Sequence, residues 1–371
     1  MSTQRLSRRW SAGIAAAIMT IGLLAGCGAK EAPAPSPAPQ GNGQPGSAVP
    51  AGMVDTSKYK KPGPWKIAHA SQGPTNSWAL MYDAHIDWAI HEKYKGKFSD
   101  YFYADANGNA DKQVNDVEDL LAKKPDLLIV TPMGAAALVG VVEKAMSMGI
   151  PVILGAANVQ TDQYVTFVTR SNYDVGKAQM EWLAKKLNGK GNIVMLSGIA
   201  GVSTAEDRLK AAKDVLKNYP NIKVLAQAYA NWSPVEAKKT TATWVAQYPQ
   251  IDGVFSDGGQ MAMGSMQAFL EAKKPIPPIT GEPMNGYLRV GIENKAQFFG
   301  TGFPNAMGVD IVDAAVKILS GEPVAKTINV DAVTFDETTA SKYYKPKFND
   351  DYWVDAKLPD DWAASKLKFN R

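Results

Sequence analysis

A single cysteine, Cys27, stands among 371 residues, which excludes a disulfide framework and any thiolate zinc site. Histidine is nearly as scarce. Of the three present, His85 and His91 are six apart and lie on different faces of one helix, unlike the four-apart ligands of zinc proteases, and His69 stands by itself. The chain has no G-x-S-x-G elbow and no Walker loop. An excess of one charge is also lacking: the net +4 falls to +1 once Arg5, Arg8 and Arg9 are set aside, which leaves no electrostatic footprint for nucleic acid. Asp105, Asn107, Asn109 and Asp111 imitate the opening of a calcium loop. That loop then needs Gly and Glu where Ala110 and Asp116 stand, so no metal is expected, and no cofactor.

What is present begins with an address. The basic Arg5, Arg8 and Arg9 precede an apolar run from Ile14 to Ala25 that is too short to span a bilayer, the pattern of a secretory signal peptide. Leu24-Ala25-Gly26-Cys27 resembles the end of a bacterial lipoprotein signal. The resemblance implies a lipidated Cys27, with residues 1–27 as signal and anchor, and a protein held outside the cytoplasm, on the outer face of the cell membrane or in the periplasm. Residues 28–62 are expected to be a tether, because Pro, Ala, Gly and Ser dominate them and cannot bury enough surface to offset the entropy of ordering. Gly41, Gly43 and Gly46 fit a dinucleotide-binding spacing but follow no strand, so the match carries no weight.

From Trp65 onward, short β-branched runs alternate with longer segments of helical period, the signature of parallel sheets with crossover helices. Strands are expected at 66–70, 98–103, 127–130 and 152–154, with helices near 76–92, 110–122 and 135–148 between them. The grammar restarts after Ser171, with strands at 193–196, 224–228, 254–256 and 279–281. Ser233, Pro234 and Glu236 read as a capping box with Pro at the first helical position. Pro125-Asp126 before one strand and Pro249-Gln250-Ile251-Asp252 before another mark a duplicated α/β lobe. Two doubly wound lobes face each other across a cleft lined by the loops that follow the strands.

Those loops carry a specific resemblance. Gly73-Pro74-Thr75-Asn76-Ser77-Trp78, Asp105-Ala106-Asn107-Gly108-Asn109, Arg170 to Gly176, Leu196 to Gly201 with Ser203 to Arg208, and Asp257 to Gly264 occur in the order found in the sugar-binding proteins of ABC importers. The chain resembles the ribose and galactose-binding type, the type I periplasmic binding proteins, from about Trp65 to Phe335. The resemblance implies an α/β fold of two Rossmann-like lobes joined by a three-stranded hinge. It puts the N-terminal lobe at 63–170 and 304–325, and the C-terminal lobe at 171–303 and 326–336. It also implies a monomer that captures a monosaccharide or polyol by hinge closure and delivers it to an ABC permease, anchored to the membrane by its lipid. No enzymatic activity and no nucleic-acid partner are expected. Residues 337–371 form a further tail too rich in aromatics to be disordered, and it is expected to wrap back onto the lobes.

Sugars offer paired hydroxyls to carboxylates, amides and guanidinium groups, and apolar C–H faces to aromatic rings. The ligand-binding set is accordingly Asn76, Trp78, Asp105, Asn107, Asn158, Arg208, Trp232, Asp257, Glu282 and Phe303, with Trp78 and Trp232 as stacking rings. Departures from the family pattern argue against plain ribose. An Asp-Arg pair after the fourth strand is replaced by Gly155-Ala156-Ala157-Asn158, a post-strand Asn by Gly258, and the hinge Gln by Gly302 beside Phe303. Two alternatives remain: a nucleoside or signalling molecule on the same fold, and, more remotely, a surface glycosidase pairing Asp105 with Glu282 across the cleft.

Overall fold

The computed structural model describes residues 49–371, so Cys27, the signal segment and the start of the tether lie outside the described residues. The second half of the expected tether is built into the fold. Strand β1 (Met53–Val54) ends it, Thr56 Oγ1 donates to the Glu322 carbonyl at 2.6 Å, and Tyr59 is buried in the first lobe's core. From Met53 onward the entropy of ordering is offset by buried side chains such as that of Tyr59.

The first lobe begins with β2 (Trp65–Ser71), α1 (Ser77–Trp88), β3 (Phe98–Asp105) and α2 (Ala110–Ala122). It continues through β4 (Leu127–Val130), α3 (Val139–Ser147), β5 (Val152–Gly155) and β6 (Thr166–Thr169). The chain then crosses over and builds α4 (Asn172–Lys186), β7 (Lys190–Ser197), α5 (Ser203–Leu216), β8 (Asn221–Tyr229) and α6 (Pro234–Gln247). The second lobe is completed by β9 (Gly253–Ser256), α7 (Gly259–Glu271), β10 (Ile279–Gly281), α8 (Asn285–Glu293) and β11 (Phe298–Thr301). Return segments follow: α9 (Met307–Ser320), β12 (Val324–Ala325), β13 (Thr327–Asn329), β14 (Thr334–Asp336) and, in the tail, α10 (Asp360–Lys366).

Each lobe holds a six-stranded sheet, in the order β3-β2-β4-β5-β6-β13 in the first and β8-β7-β9-β10-β11-β14 in the second. The first five strands of both orders run parallel in the doubly wound pattern, while β1 and β12 form a small antiparallel pair. Strands such as β4 are buried on both faces and read as unbroken apolar runs, since helices cover both sides of a parallel sheet. The duplication extends to single hydrogen bonds. Asp126 Oδ2 accepts the Lys66 backbone N–H at 2.9 Å, and Asp252 Oδ2 accepts that of Asn192 at 2.7 Å, so each Asp ties the start of the third strand in its sheet to the second.

Three segments join the lobes: 170–171, 302–306 and 330–333. The last corrects the expected boundary at 325/326. Strand β13 pairs in parallel with β6, from Thr327 opposite Phe167 to Asn329 opposite Thr169, so the chain stays in the first lobe through Asn329 and reaches the second only at β14. Two helices also differ from expectation. The first is α-helical to Trp88 and ends in a π turn at Ala89–Lys93, and α3 starts at Val139, four residues later than expected, with no side-chain cap from Leu138. Half of the capping box forms: Ser233 Oγ accepts from Glu236 N at 3.3 Å, but the Glu236 carboxylate takes the Asn231 amide instead of the cap backbone.

The tail packs on the protein. Phe348, Tyr352, Trp353 and Phe369 are buried in the same core as Met284, Tyr287 and Phe298 of the second lobe, and Phe348 stacks on Tyr352 with centroids 4.0 Å apart. Trp353 is 1% exposed. Trp353→Ala should therefore cost about 3–5 kcal/mol of stability, read from the midpoint of urea unfolding.

Buried neutral histidines make a second expectation. His69 lies between Tyr101 Oη at 3.0 Å and Thr131 Oγ1 at 3.2 Å, and His85 between the Met81 carbonyl and the Lys357 backbone N–H. Burial lowers His69 to about 3 and His85 to about 4. Both folded values lie below the unfolded value near 6.5, so their contribution is complete above that pH and is lost on acidification toward 4 and 3, at about 1.4 kcal/mol per unit. Urea unfolding between pH 7 and 4 should show this loss, with a flatter slope in His69→Gln.

Candidate functional site

Arg208, in the second turn of α5, is 2% exposed, and a guanidinium so buried must have its donors met. Its Nε donates to Asn172 Oδ1 at 3.0 Å, Nη1 to the Asp257 carbonyl at 2.7 Å, and Nη2 lies 3.1 Å from Glu282 Oε1. Asp257 follows β9 and Glu282 follows β10, so both stand at the carboxyl ends of their strands, where doubly wound sheets take ligands. Burial, and secondarily Glu282, raise the Asp257 carboxyl to about 7, against the pull of Arg208, the Gly198 N–H and the Trp232 indole.

Trp232 donates its indole N–H to Asp257 Oδ1 at 3.0 Å from a left-handed backbone, φ +50°. Its ring lies where side chains at two glycines would be: a Cβ at Gly198 would come within 2.1 Å of the indole and one at Gly258 within 2.6 Å. The family's post-strand Asn cannot coexist with this ring, which accounts for Gly258. Gly302 has a parallel cause, because a Cβ there would meet Glu282 Oε1 at 2.9 Å.

Glu282 Oε1 also accepts the Phe303 backbone N–H at 3.0 Å, and the Phe303 carbonyl accepts the Trp78 indole N–H at 2.7 Å. Trp78 stacks on Tyr82 at 5.2 Å and tilts against Phe303 at 5.7 Å. A continuous path of contacts thus runs Trp78–Phe303–Glu282–Arg208–Asp257–Trp232, from the first lobe through a crossing segment into the second.

Four of the expected residues stand apart from this path. Asn76 is exposed and caps α1, its side chain accepting the Ala79 N–H at 3.0 Å. Asp105 Oδ1 accepts the Asn107 N–H at 2.7 Å, and Asn107, at φ +47°, is the exposed turn residue that this bond shapes. Asn158 is exposed after β5, its Oδ1 taking the Val159 N–H. Asp105 and Glu282 therefore serve different partners, a turn and a guanidinium.

Groups outside the expected set join the site. Arg170, in the first crossing segment and within the quoted Arg170–Gly176 motif, is half-buried with its Nε unpartnered. Gln260 Oε1 and Asn305 Oδ1 are likewise buried and unpartnered among the described residues. Asp83 on α1 receives hydroxyls from Ser71 and Tyr103, both at 2.8 Å, and burial raises it to about 6. No spacing rule marks it, because its partners come from two other elements. Among the described residues no group of three or more His, Cys, Asp or Glu is placed to hold a metal.

Two duplicated sheets joined by three crossing segments, with hydrogen-bonding and aromatic groups gathered at the strand ends, define a two-lobed ligand-binding protein. The chain belongs to the periplasmic binding protein family: the sequence profile of the periplasmic binding protein domain matches residues 67–323. It is 35% identical over 220 residues to a xylitol-binding protein of Mycolicibacterium smegmatis, an alignment covering 57% of this chain and 62% of that protein. It is 25% identical over 240 residues to the ribose import binding protein RbsB of Bacillus subtilis, covering 65% and 78%. A crystal structure from Mycobacterium smegmatis in complex with β-D-fucofuranose superposes with a TM-score of 0.66 at 25% identity, over 74% of this chain and 92% of that one.

Removing one partner of a buried ion pair strands the other charge. Arg208→Ala should cost about 3–5 kcal/mol in chemical unfolding, whereas the double change Arg208→Met with Glu282→Gln should cost less than the two single changes added together.

Proposed function

We propose that the protein is the extracytoplasmic solute-binding component of an ABC importer, with a neutral monosaccharide or polyol as its ligand. The path of contacts from Trp78 to Trp232 carries the reading: it supplies aromatic surface at both ends and carboxylate and guanidinium groups between, and it passes through the crossing segments about which two lobes hinge. The names of the relatives, which bind xylitol, ribose and fucofuranose, support the same ligand class. Trp78, Phe303, Glu282, Arg208, Asp257 and Trp232 form the inner site, with Asn76, Asp105, Asn107 and Asn158 on the exposed rim of the first lobe.

The protein binds without transforming its ligand, acts as a monomer, needs no cofactor, and is tethered to the membrane by lipid on Cys27. Closure of the lobes around the ligand presents a shape that the permease recognises. A nucleoside reading finds less support, because the named ligands of the similar proteins are sugars and a polyol.

A thermal-shift series on the chain without residues 1–27, using xylitol, D-ribose, other pentoses, hexoses and nucleosides, should give its largest shift with a neutral sugar or polyol. At one hundred times its dissociation constant such a ligand stabilises the fold by about 2.7 kcal/mol. A shift with nucleosides alone would overturn the proposal. For the ligand so found, Trp232→Ala and Trp78→Ala should each weaken binding by about 1–3 kcal/mol in calorimetry, and small-angle scattering should show a smaller radius at saturation.

A further inference from the structure

The tail makes contacts that neither lobe requires for its own sheet. Asn285 Nδ2 donates to the carbonyls of Lys345, Phe348 and Asn349, its backbone N–H donates to that of Tyr352, and Val354 N–H donates to the Pro283 carbonyl at 3.0 Å. These bonds run the tail along the segment that follows β10, beside Glu282. Within a few residues it reaches the first lobe: Trp353 Nε1 donates to Ser77 Oγ at 3.0 Å, next to Trp78, and Lys357 Nζ pairs with Asp310 of α9 at 2.7 Å.

Asp355 lies between these two anchorages. It is 7% exposed and its Oδ1 accepts from Asn305 Nδ2 at 3.2 Å, while Asn305, in the second crossing segment two residues beyond Phe303, is fully buried. One oxygen of each, Asp355 Oδ2 and Asn305 Oδ1, is buried without a partner among the described residues. Leaving a buried oxygen unmet on each of two hydrogen-bonded side chains is costly.

We propose that the tail completes the ligand cleft, with Asp355 Oδ2 and Asn305 Oδ1 forming a subsite for one hydroxyl of a neutral sugar or polyol, an inference that rests on the function proposed above. A hydroxyl is both donor and acceptor. Burial, and next the nearby Glu282, raise Asp355 to about 8, so at neutral pH it is a carboxylic acid able to donate, while the Asn305 carbonyl oxygen accepts. A carboxylate or phosphate ligand would meet Glu282 and the Asn305 oxygen with no cation of the subsite to balance it. The subsite therefore selects for uncharged ligands as well as for a hydroxyl at one position.

The test uses the strongest neutral ligand from xylitol, D-ribose and the other sugars, with its monodeoxy analogues, titrated calorimetrically into wild type, Asp355→Ala, Asp355→Asn, Asp355→Leu and Lys357→Ala. Asp355→Ala should bind the parent ligand at least tenfold more weakly, and one monodeoxy analogue should lose affinity for wild type yet bind Asp355→Ala as well as the parent does. Lys357→Ala removes a tail contact outside the subsite, so any change in affinity it brings should be the same factor for the parent and for every monodeoxy analogue. Asp355→Asn preserves volume, the bond to Asn305 and a donor, and should bind the parent close to wild type. Asp355→Leu fills the same space without a donor and supplies the measurement if Asp355→Ala melts before binding can be read. Parent affinity within twofold of wild type in folded Asp355→Ala or Asp355→Leu overturns the subsite and leaves the proposed function standing. Failure of wild type to bind any neutral sugar or polyol overturns both.

Discussion

A guanidinium taken out of water must be repaid in full by fixed partners, and the loops of the second lobe are arranged around that demand. Arg208 draws Asn172 from the start of α4, the carbonyl of Asp257 after β9 and the carboxylate of Glu282 after β10 to one point. Three separate elements acquire a fixed spacing from a single side chain. The helices α4 and α5 must lie close for this to happen, and Gly176 permits it: a Cβ there would fall 2.3 Å from the Arg208 carbonyl oxygen. Burial raises the Asp257 carboxyl to about 7 against the pull of Arg208, and the neighbouring Glu282 adds to the rise.

The same constraint explains why the chain departs from the pattern it resembles. Trp232 hydrogen-bonds to Asp257 and fills the space above Gly198 and Gly258, while Glu282 reaches across Gly302 to the Phe303 backbone. Large groups from neighbouring loops stand where the family places smaller polar side chains on the strand ends themselves. The shape of the site has been moved between elements, with the strand framework unchanged.

Strands and helices were largely legible because the signals that specify them are local: β4 and β10 are short apolar runs bounded by Pro or Gly, and α2 carries its stripe of Val117, Leu120 and Leu121 between an Asn cap and a Lys. The duplication was visible in Pro125-Asp126 and Ile251-Asp252, and the structure adds the hydrogen bonds that make those Asp residues useful. Pairing across long separations was not legible. Nothing within Thr327–Asn329 says whether it joins β6 or β11, since only the hinge geometry decides. Site residues divide on the same line. Asp257 and Glu282 follow recognisable strand ends and Arg208 lies within the Ser203–Arg208 stretch that opens α5, whereas Asn76 and Asp105 are residue types that serve caps and turns as readily as ligands, and here they make those local bonds. Asp355 had no signal, because the tail has neither period nor motif and its meaning comes from what it lies against.

The tail also changes how the opening of the lobes is counted. Because Val354 is bonded to the second lobe and Trp353 and Lys357 to the first, rotation about the crossing segments must either carry this short stretch along or break its bonds one by one. Part of the free energy that fixes the lobes in this arrangement is thereby intramolecular and independent of any ligand. Apparent affinity equals intrinsic affinity scaled by the fraction of molecules already competent, so each bond of the strap that favours the competent form raises affinity for every ligand alike. Discrimination between ligands is left to the groups that touch them, whereas a strap of this kind acts on the two lobes together.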